Sequence, residues 1–205
     1  MLLLELRVFE LLCSRLCHDL VSPVGAINNG VELLEELGPD EEALKLVGQS
    51  AQAAARRLKF YRVAYGATGA ADLPMDELRD LMTGLLVDRH VALAWDSRAA
   101  IPFGLPGRRL LLNMLALAAE CLPRGGTIHV GTREAPAAIS LTAEGAGATL
   151  PEGVQAAMDG SAPPGELTAR TIQAYFASRL ADALGARLSA SGTPGRLAII
   201  AEAGG

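Results

Sequence analysis

The sequence predicts an α+β chain in which an antiparallel helical hairpin precedes an α/β sandwich. Three observations carry this. Two long N-terminal stretches keep helical periodicity and are interrupted only by the breaker Gly38-Pro39-Asp40. A small-residue run, Gly66-Ala67-Thr68-Gly69-Ala70-Ala71, then ends that pattern. Beyond Pro74, helical and strand-like segments mix. These breaks place the domain boundaries at 1–67 and 74–205.

The first helix, about residues 4–37, sets Phe9, Leu12, Leu16, Leu20, Val24, Ile27, Val31 and Leu34 within an arc of about 120° at ~100° per residue. The second, about residues 40–67, repeats Leu44, Val47, Ala51, Ala54, Leu58 and Tyr61 at spacings of 3 and 4. Each helix would be about 45 Å long. Two helices cannot keep both stripes from water, because each apolar face needs cover on more than one side. The expected solution is a homodimer, with two hairpins packed as a left-handed four-helix bundle. The second domain reads as helix 75–88, strand 91–95, helix 108–121, strands 127–132 and 138–142, a glycine-rich loop, helix 166–184, and strands 187–191 and 196–202. The strands lack strict βαβ spacing. Helices on one face of the sheet are therefore expected, rather than a doubly wound fold.

Composition narrows the function classes. The 205 residues are 50% hydrophobic and 20% charged with mean hydropathy +0.28, which excludes a disordered or collagen-like chain. A net charge of −5 supplies no basic field for nucleic acid. Three cysteines without framework spacing fit a reducing compartment. The N-terminus carries acidic residues where a signal peptide needs basic ones, and no apolar run approaches the roughly 18 residues of a spanning helix. A cytoplasmic protein without membrane contact is expected.

His18 lies about 180° from the centre of the apolar stripe and so faces water. Leu11, Ser14, Arg15, Ser22, Gly25 and Asn29 share this outer face, a mostly small or polar surface on which another protein could dock. An isolated surface histidine is ordinarily without function. Pro23, however, sits inside the same periodic helix, where proline costs about 3 kcal/mol and bends the helix. A costly residue beside an exposed histidine points to selected geometry.

The run His18-Asp19-Leu20-Val21-Ser22-Pro23 resembles the H-box of dimeric histidine kinases, His-acid-apolar-x-x-Pro on the first helix of a dimerisation hairpin. The stretch 17–34 and the hairpin end Phe60-Tyr61-Arg62-Val63-Ala64-Tyr65-Gly66-Ala67 resemble, more closely, the cell-cycle histidine phosphotransferases of alphaproteobacteria. That resemblance covers essentially the whole chain. In the second domain it rests on the order of elements and on scattered residues such as Arg170-Thr171-Ile172-Gln173-Ala174-Tyr175. It implies a second domain with a degenerate Bergerat-type ATPase fold.

The family's nucleotide boxes are visible but altered. Leu112-Asn113-Met114-Leu115-Ala116-Leu117-Ala118 aligns with the N-box, with Leu117 where the magnesium-binding asparagine belongs. Leucine does not coordinate a hard cation. Ala143-Glu144-Gly145-Ala146-Gly147 keeps both glycines of the next box but replaces its adenine-reading aspartate with Ala143, and Glu144 stands one residue off register. Pro163-Pro164-Gly165-Glu166 and Thr168-Ala169-Arg170 stand in place of the flexible phosphate loop. The expectation is a domain that has lost ATP, with no cofactor and no metal of its own.

The resemblance implies that His18 accepts a phosphoryl group from an aspartyl phosphate on one receiver domain and passes it to another. Neutral imidazole is a competent nucleophile near pH 7, since its unperturbed pKa is about 6.5. Magnesium would belong to the receiver. Asp19 would orient or deprotonate His18, Arg15 would offset phosphate charge, and Pro23 would shape a bend that leaves His18 accessible. The docking surface would comprise Ser14, Arg15, Ser22, Pro23, Gly25 and Asn29. Implied partners are the receiver of a hybrid (CckA-like) kinase and CtrA-like and CpdR-like response regulators. A divergent ATP-using kinase and a non-catalytic dimeric adaptor are the alternatives. Cys13 and Cys17 read as packing residues near the apolar face, not as metal ligands with His18, and His90 and His129 read as structural. Arg56, Arg57, Lys59 and Arg62 form either a basic rim near His18 or a solvated helix face.

Overall fold

The computed structural model describes residues 2–66, 73–96 and 100–204. Helix α1 (Leu2–Leu37) ends at Gly38, whose φ of +78° closes the helix in the left-handed region that glycine adopts without strain. Asp40 then caps α2 (Glu41–Tyr65), its carboxylate accepting the Ala43 N–H at 2.8 Å. The two helices lie antiparallel and approach closely at Gly30. A Cβ there would stand 2.6 Å from Cγ2 of Val47. The small-residue linker of the sequence reading, beyond Gly66, falls mostly on residues 67–72, outside the described residues.

The second unit runs α3 (Met75–Leu86), a 3-10 turn (Val87–Arg89), β1 (Val91–Trp95), α4 (Gly104–Glu120), β2 (Gly126–Glu134), β3 (Ala137–Glu144), α5 (Val154–Asp159), α6 (Ile172–Ala183), β4 (Ala186–Thr193) and β5 (Arg196–Ala203). The five strands form one sheet in the order β1-β2-β3-β5-β4, with β1 parallel to β2 and the other pairs antiparallel. One face carries the core: Ile128 pairs with Ala143, Leu141 with Ile199 and Leu188 with Ala201, all buried. Helices α4 and α6 cover it. This is the expected sandwich. Two segments differ from the sequence reading: six residues of the glycine-rich loop form α5 between Gly153 and Gly160, and α6 starts at Ile172 because Thr168 and Thr171 bond to one another as a turn.

Helix α4 is buried on nearly every side, between the sheet, α3, α6 and the end of α2, which explains why its sequence is apolar all round. Each fully buried leucine on it contributes about 2 kcal/mol. One core cluster runs from this domain into the hairpin, taking in Leu11, Phe60, Tyr61, Val63 and Ala64, with Leu12, Leu16 and Leu20 packed against it. The junction is also polar. Asn113 donates from Nδ2 to the Ala64 carbonyl at 2.9 Å and the Arg109 carbonyl at 2.8 Å, and its Oδ1 accepts from Nε2 of Gln173 at 2.9 Å. Arg109 donates to the carbonyls of Ala64 and Tyr65 at 3.0 and 3.1 Å, and the Tyr65 hydroxyl donates to Gln173. The terminal carbonyls of α2 are thus satisfied by the second domain. Asn113→Ala removes three of these bonds at a fully buried position, so its expected cost is about 2 kcal/mol, read in calorimetry as a Tm lower by roughly 4–8 °C.

Candidate functional site

The site is built where the cover over α1 stops. Residues 11, 15 and 18 share one helical face, but their surroundings differ. Leu11 is buried in the core, Arg7 donates to the Leu167 carbonyl at 3.2 Å, and Arg15 forms a close ion pair with Glu120 at the end of α4 and donates to the Ala169 carbonyl at 3.3 Å. One turn further on, the His18 side chain is 88% exposed. The second domain therefore covers the N-terminal part of the face that the sequence assigns to solvent. This bears on two of the docking residues. Arg15 is only 11% exposed and pairs with Glu120, so it is a strut between the two units that also lines the groove at His18. Pro23 is buried against the hairpin, so no partner reaches it. Ser14, Ser22 and Asn29 are exposed and Gly25 is half-buried, and these keep their place around His18.

Asp19 is next to His18 in sequence and bonded to it: Nδ1 of His18 lies 3.3 Å from Oδ1 of Asp19. The other carboxylate oxygen accepts the hydroxyl of Tyr61 from α2. Burial pushes the Asp19 carboxyl up, but the bonds from Tyr61 and His18 and the charges of Arg15 and Arg89 outweigh it and hold it below the usual 3.8. The same contact, after burial itself, drives the Tyr61 phenol far above its ordinary value. The sign for stability follows directly. An acid whose pKa is lowered by folding stabilises fully above its ordinary value and loses that contribution as pH falls through the lowered one. Asp19→Asn is expected to flatten the acid limb of stability below about pH 4, measured by denaturant melts at successive pH.

Pro23 gains a specific meaning here. In a regular helix the N–H of residue 23 would bond the Asp19 carbonyl, but proline has none. That carbonyl instead accepts a close hydrogen bond from Nη1 of Arg57, which reaches across from α2. Of the four basic residues that the sequence offered as a rim near His18, Arg57 thus belongs to the site. Arg56 pairs with Asp88 at 2.9 Å, whereas Lys59 and Arg62 lie on the exposed face.

A groove of about 600 Å³ opens in front of His18, between hairpin and second domain, and is lined among others by Asp19, Arg89, Pro123, Pro151 and Arg170. Behind Asp19 a smaller, partly open cavity of about 90 Å³ meets Arg15, Arg57, Tyr65, Asp88 and Arg89. Sequence reasoning missed the groove wall, because only the fold brings residues 123, 151 and 170 beside residue 18. It also placed Tyr61 in an apolar stripe, which holds for the ring but overlooks the hydroxyl. Cys13 is half-buried, while Cys17, expected to be a packing residue, is exposed. His90 caps the 3-10 turn in a left-handed conformation with φ +54°, and His129 lies 3.5 Å from Glu144.

The chain has clear relatives. A family model described as the histidine phosphotransferase C-terminal domain matches residues 75–195. Protein phosphotransferase ChpT of Brucella abortus (strain 2308) is 37% identical over 199 residues, spanning 94% of this chain and 93% of that protein. A solved bacterial phosphotransferase matches with a TM-score of 0.80 at 32% identity and 96% coverage of both chains. The histidine kinase AdeS of Acinetobacter baumannii matches at 13% identity and TM-score 0.45, over 91% of this chain and 96% of that one.

Proposed function

Because the chain belongs to the histidine phosphotransferase family, we propose that it relays a phosphoryl group between receiver-domain aspartates on His18, without ATP and as a homodimer. The observation that carries this reading is the exposed His18 imidazole, bonded at Nδ1 to an ionised Asp19 and fronting an open groove of about 600 Å³. An ionised carboxylate only accepts, so Nδ1 is the protonated nitrogen and Nε2 carries the lone pair. Attack by Nε2 forms an N–P bond as the P–O bond of the aspartyl phosphate breaks, and the receiver carboxylate leaves with the electron pair. Nδ1 keeps its proton, and the imidazolium charge that develops lies against Asp19. Transfer to a second receiver is the same step in reverse. Such transfers have a loose transition state, so positioning and charge stabilisation suffice.

Two buried side chains support a reading without ATP. The resemblance sets Leu117 and Ala143 at the magnesium and adenine positions of the nucleotide boxes, and both are fully buried in the core. The homodimer is supported by large apolar side chains left in water on the hairpin, among them Phe9 at 64% and Leu58 at 55% exposure, together with Val24, Val31 and Leu44. The proposed donor is the receiver of a hybrid CckA-like kinase, and the proposed acceptors are CtrA-like and CpdR-like response regulators. A chase experiment tests the relay: label on a first receiver should reach a second one only when this chain is present. Transfer that proceeds equally without it rejects the reading.

A further inference from the structure

Helix α2 holds Asp19 at both ends. Arg57 takes the backbone carbonyl that Pro23 leaves unpaired, and Tyr61, four residues on and so on the same face of α2, takes the carboxylate. The ring of Tyr61 has separate packing, edge-on to Phe60 at 5.9 Å and stacked on Tyr65 at 5.7 Å between centroids. Neither contact uses the hydroxyl. Its aim at Asp19 therefore needs a reason other than core filling. We propose that Arg57 and Tyr61 are positioning residues that clamp Asp19 from α2, so that its free carboxylate oxygen fixes His18 as the Nδ1–H tautomer and turns Nε2 toward the incoming phosphorus.

This inference rests on His18 being the phosphoryl carrier. Without the clamp the Asp19 carboxylate keeps only its attraction to Arg15 and Arg89 and its bond to His18, and a bond between neighbouring residues on a helix surface is not enforced by helical geometry. The imidazole would then exchange its proton between both nitrogens, and the nucleophilic form would be only a fraction of the total. Proline at position 23 is part of the device: its missing N–H is what opens the Asp19 carbonyl to Arg57.

The test uses the full chain, labelled with 15N, in three forms: wild type, Tyr61→Phe and Pro23→Ala. NMR reads the His18 tautomer above the titration range of the ring, and phosphoramidate, a small-molecule phosphodonor, reads the reactivity of Nε2 without any receiver. The wild type should show Nδ1–H alone. Tyr61→Phe should show both tautomers and react about tenfold more slowly, the weight of one hydrogen bond to a charged group. Pro23→Ala adds an N–H that shares the Asp19 carbonyl with Arg57 and weakens that contact, so it should shift the same way to a smaller extent, while its better helix propensity protects the fold. Wild-type tautomer and rate in both variants overturn the clamp. A shifted tautomer in a chain whose wild type takes nothing from any phosphorylated receiver keeps the clamp and rejects the carrier role instead.

Discussion

His18→Gln protein is expected to take up no phosphoryl group from a phosphorylated receiver while it folds and dimerises as the wild type does. The loss is complete because glutamine has no nucleophilic nitrogen, and a nucleophile is not replaced by its surroundings. The fold is untouched because the side chain stands 88% in solvent with Asp19 as its bonded partner, and surface substitutions of this kind stay within about 0.5 kcal/mol. Phosphohistidine detection after incubation, with size-exclusion chromatography of the same sample, reads both halves. Residual label would place the phosphoryl group on another residue. A dissociated or unfolded variant would show that His18 has a structural role.

The second large effect lies on the hairpin. Leu58→Asp puts a carboxylate on the uncovered stripe of α2, where the leucine is 55% exposed in the single chain. In the proposed four-helix bundle that position is covered by the partner, so the charge would be buried and unpaired at a cost of about 3–5 kcal/mol. The dimer should weaken more than roughly a hundredfold, and sedimentation should show monomers at micromolar concentration. The single chain loses only about 0.5 kcal/mol, the difference in helix propensity between leucine and aspartate, since the new side chain reaches water there. A dimer that persists unchanged would place the contact on another face.

Much of this was legible in the sequence, and the reasons for the rest are physical. Periodicity located α1 and α2 because a helix that buries one stripe must repeat its apolar residues every 3 or 4 positions, and Gly38 with Asp40 marked the turn. His18 stood out because a costly helix-interior proline sits close to an exposed histidine, and Asp19 through the resemblance of the run 18–23 to an H-box. Periodicity does not tell which part of a polar face a distant segment covers. Arg15 and Glu120 are 105 residues apart, and Arg7 and Leu167 are 160 apart, so nothing local announces either contact. The short α5 escaped because six residues between two glycines carry too few apolar positions to show a period. Tyr61 was read by its ring, which packs, while the partner of its hydroxyl lies 42 residues earlier. Pro23 was read as a bend. Its clearer effect is the hydrogen bond it cannot make.

The buried Leu117 and Ala143 bear on the central claim, that His18 is charged by a receiver and not by ATP. Two parallel incubations of the purified chain test it most directly: one with labelled ATP and magnesium alone, the other with a labelled phospho-receiver, each followed by mapping of the label. Label on His18 from the receiver and none from ATP is the predicted result. Label on His18 from ATP alone would contradict it and make the chain a kinase.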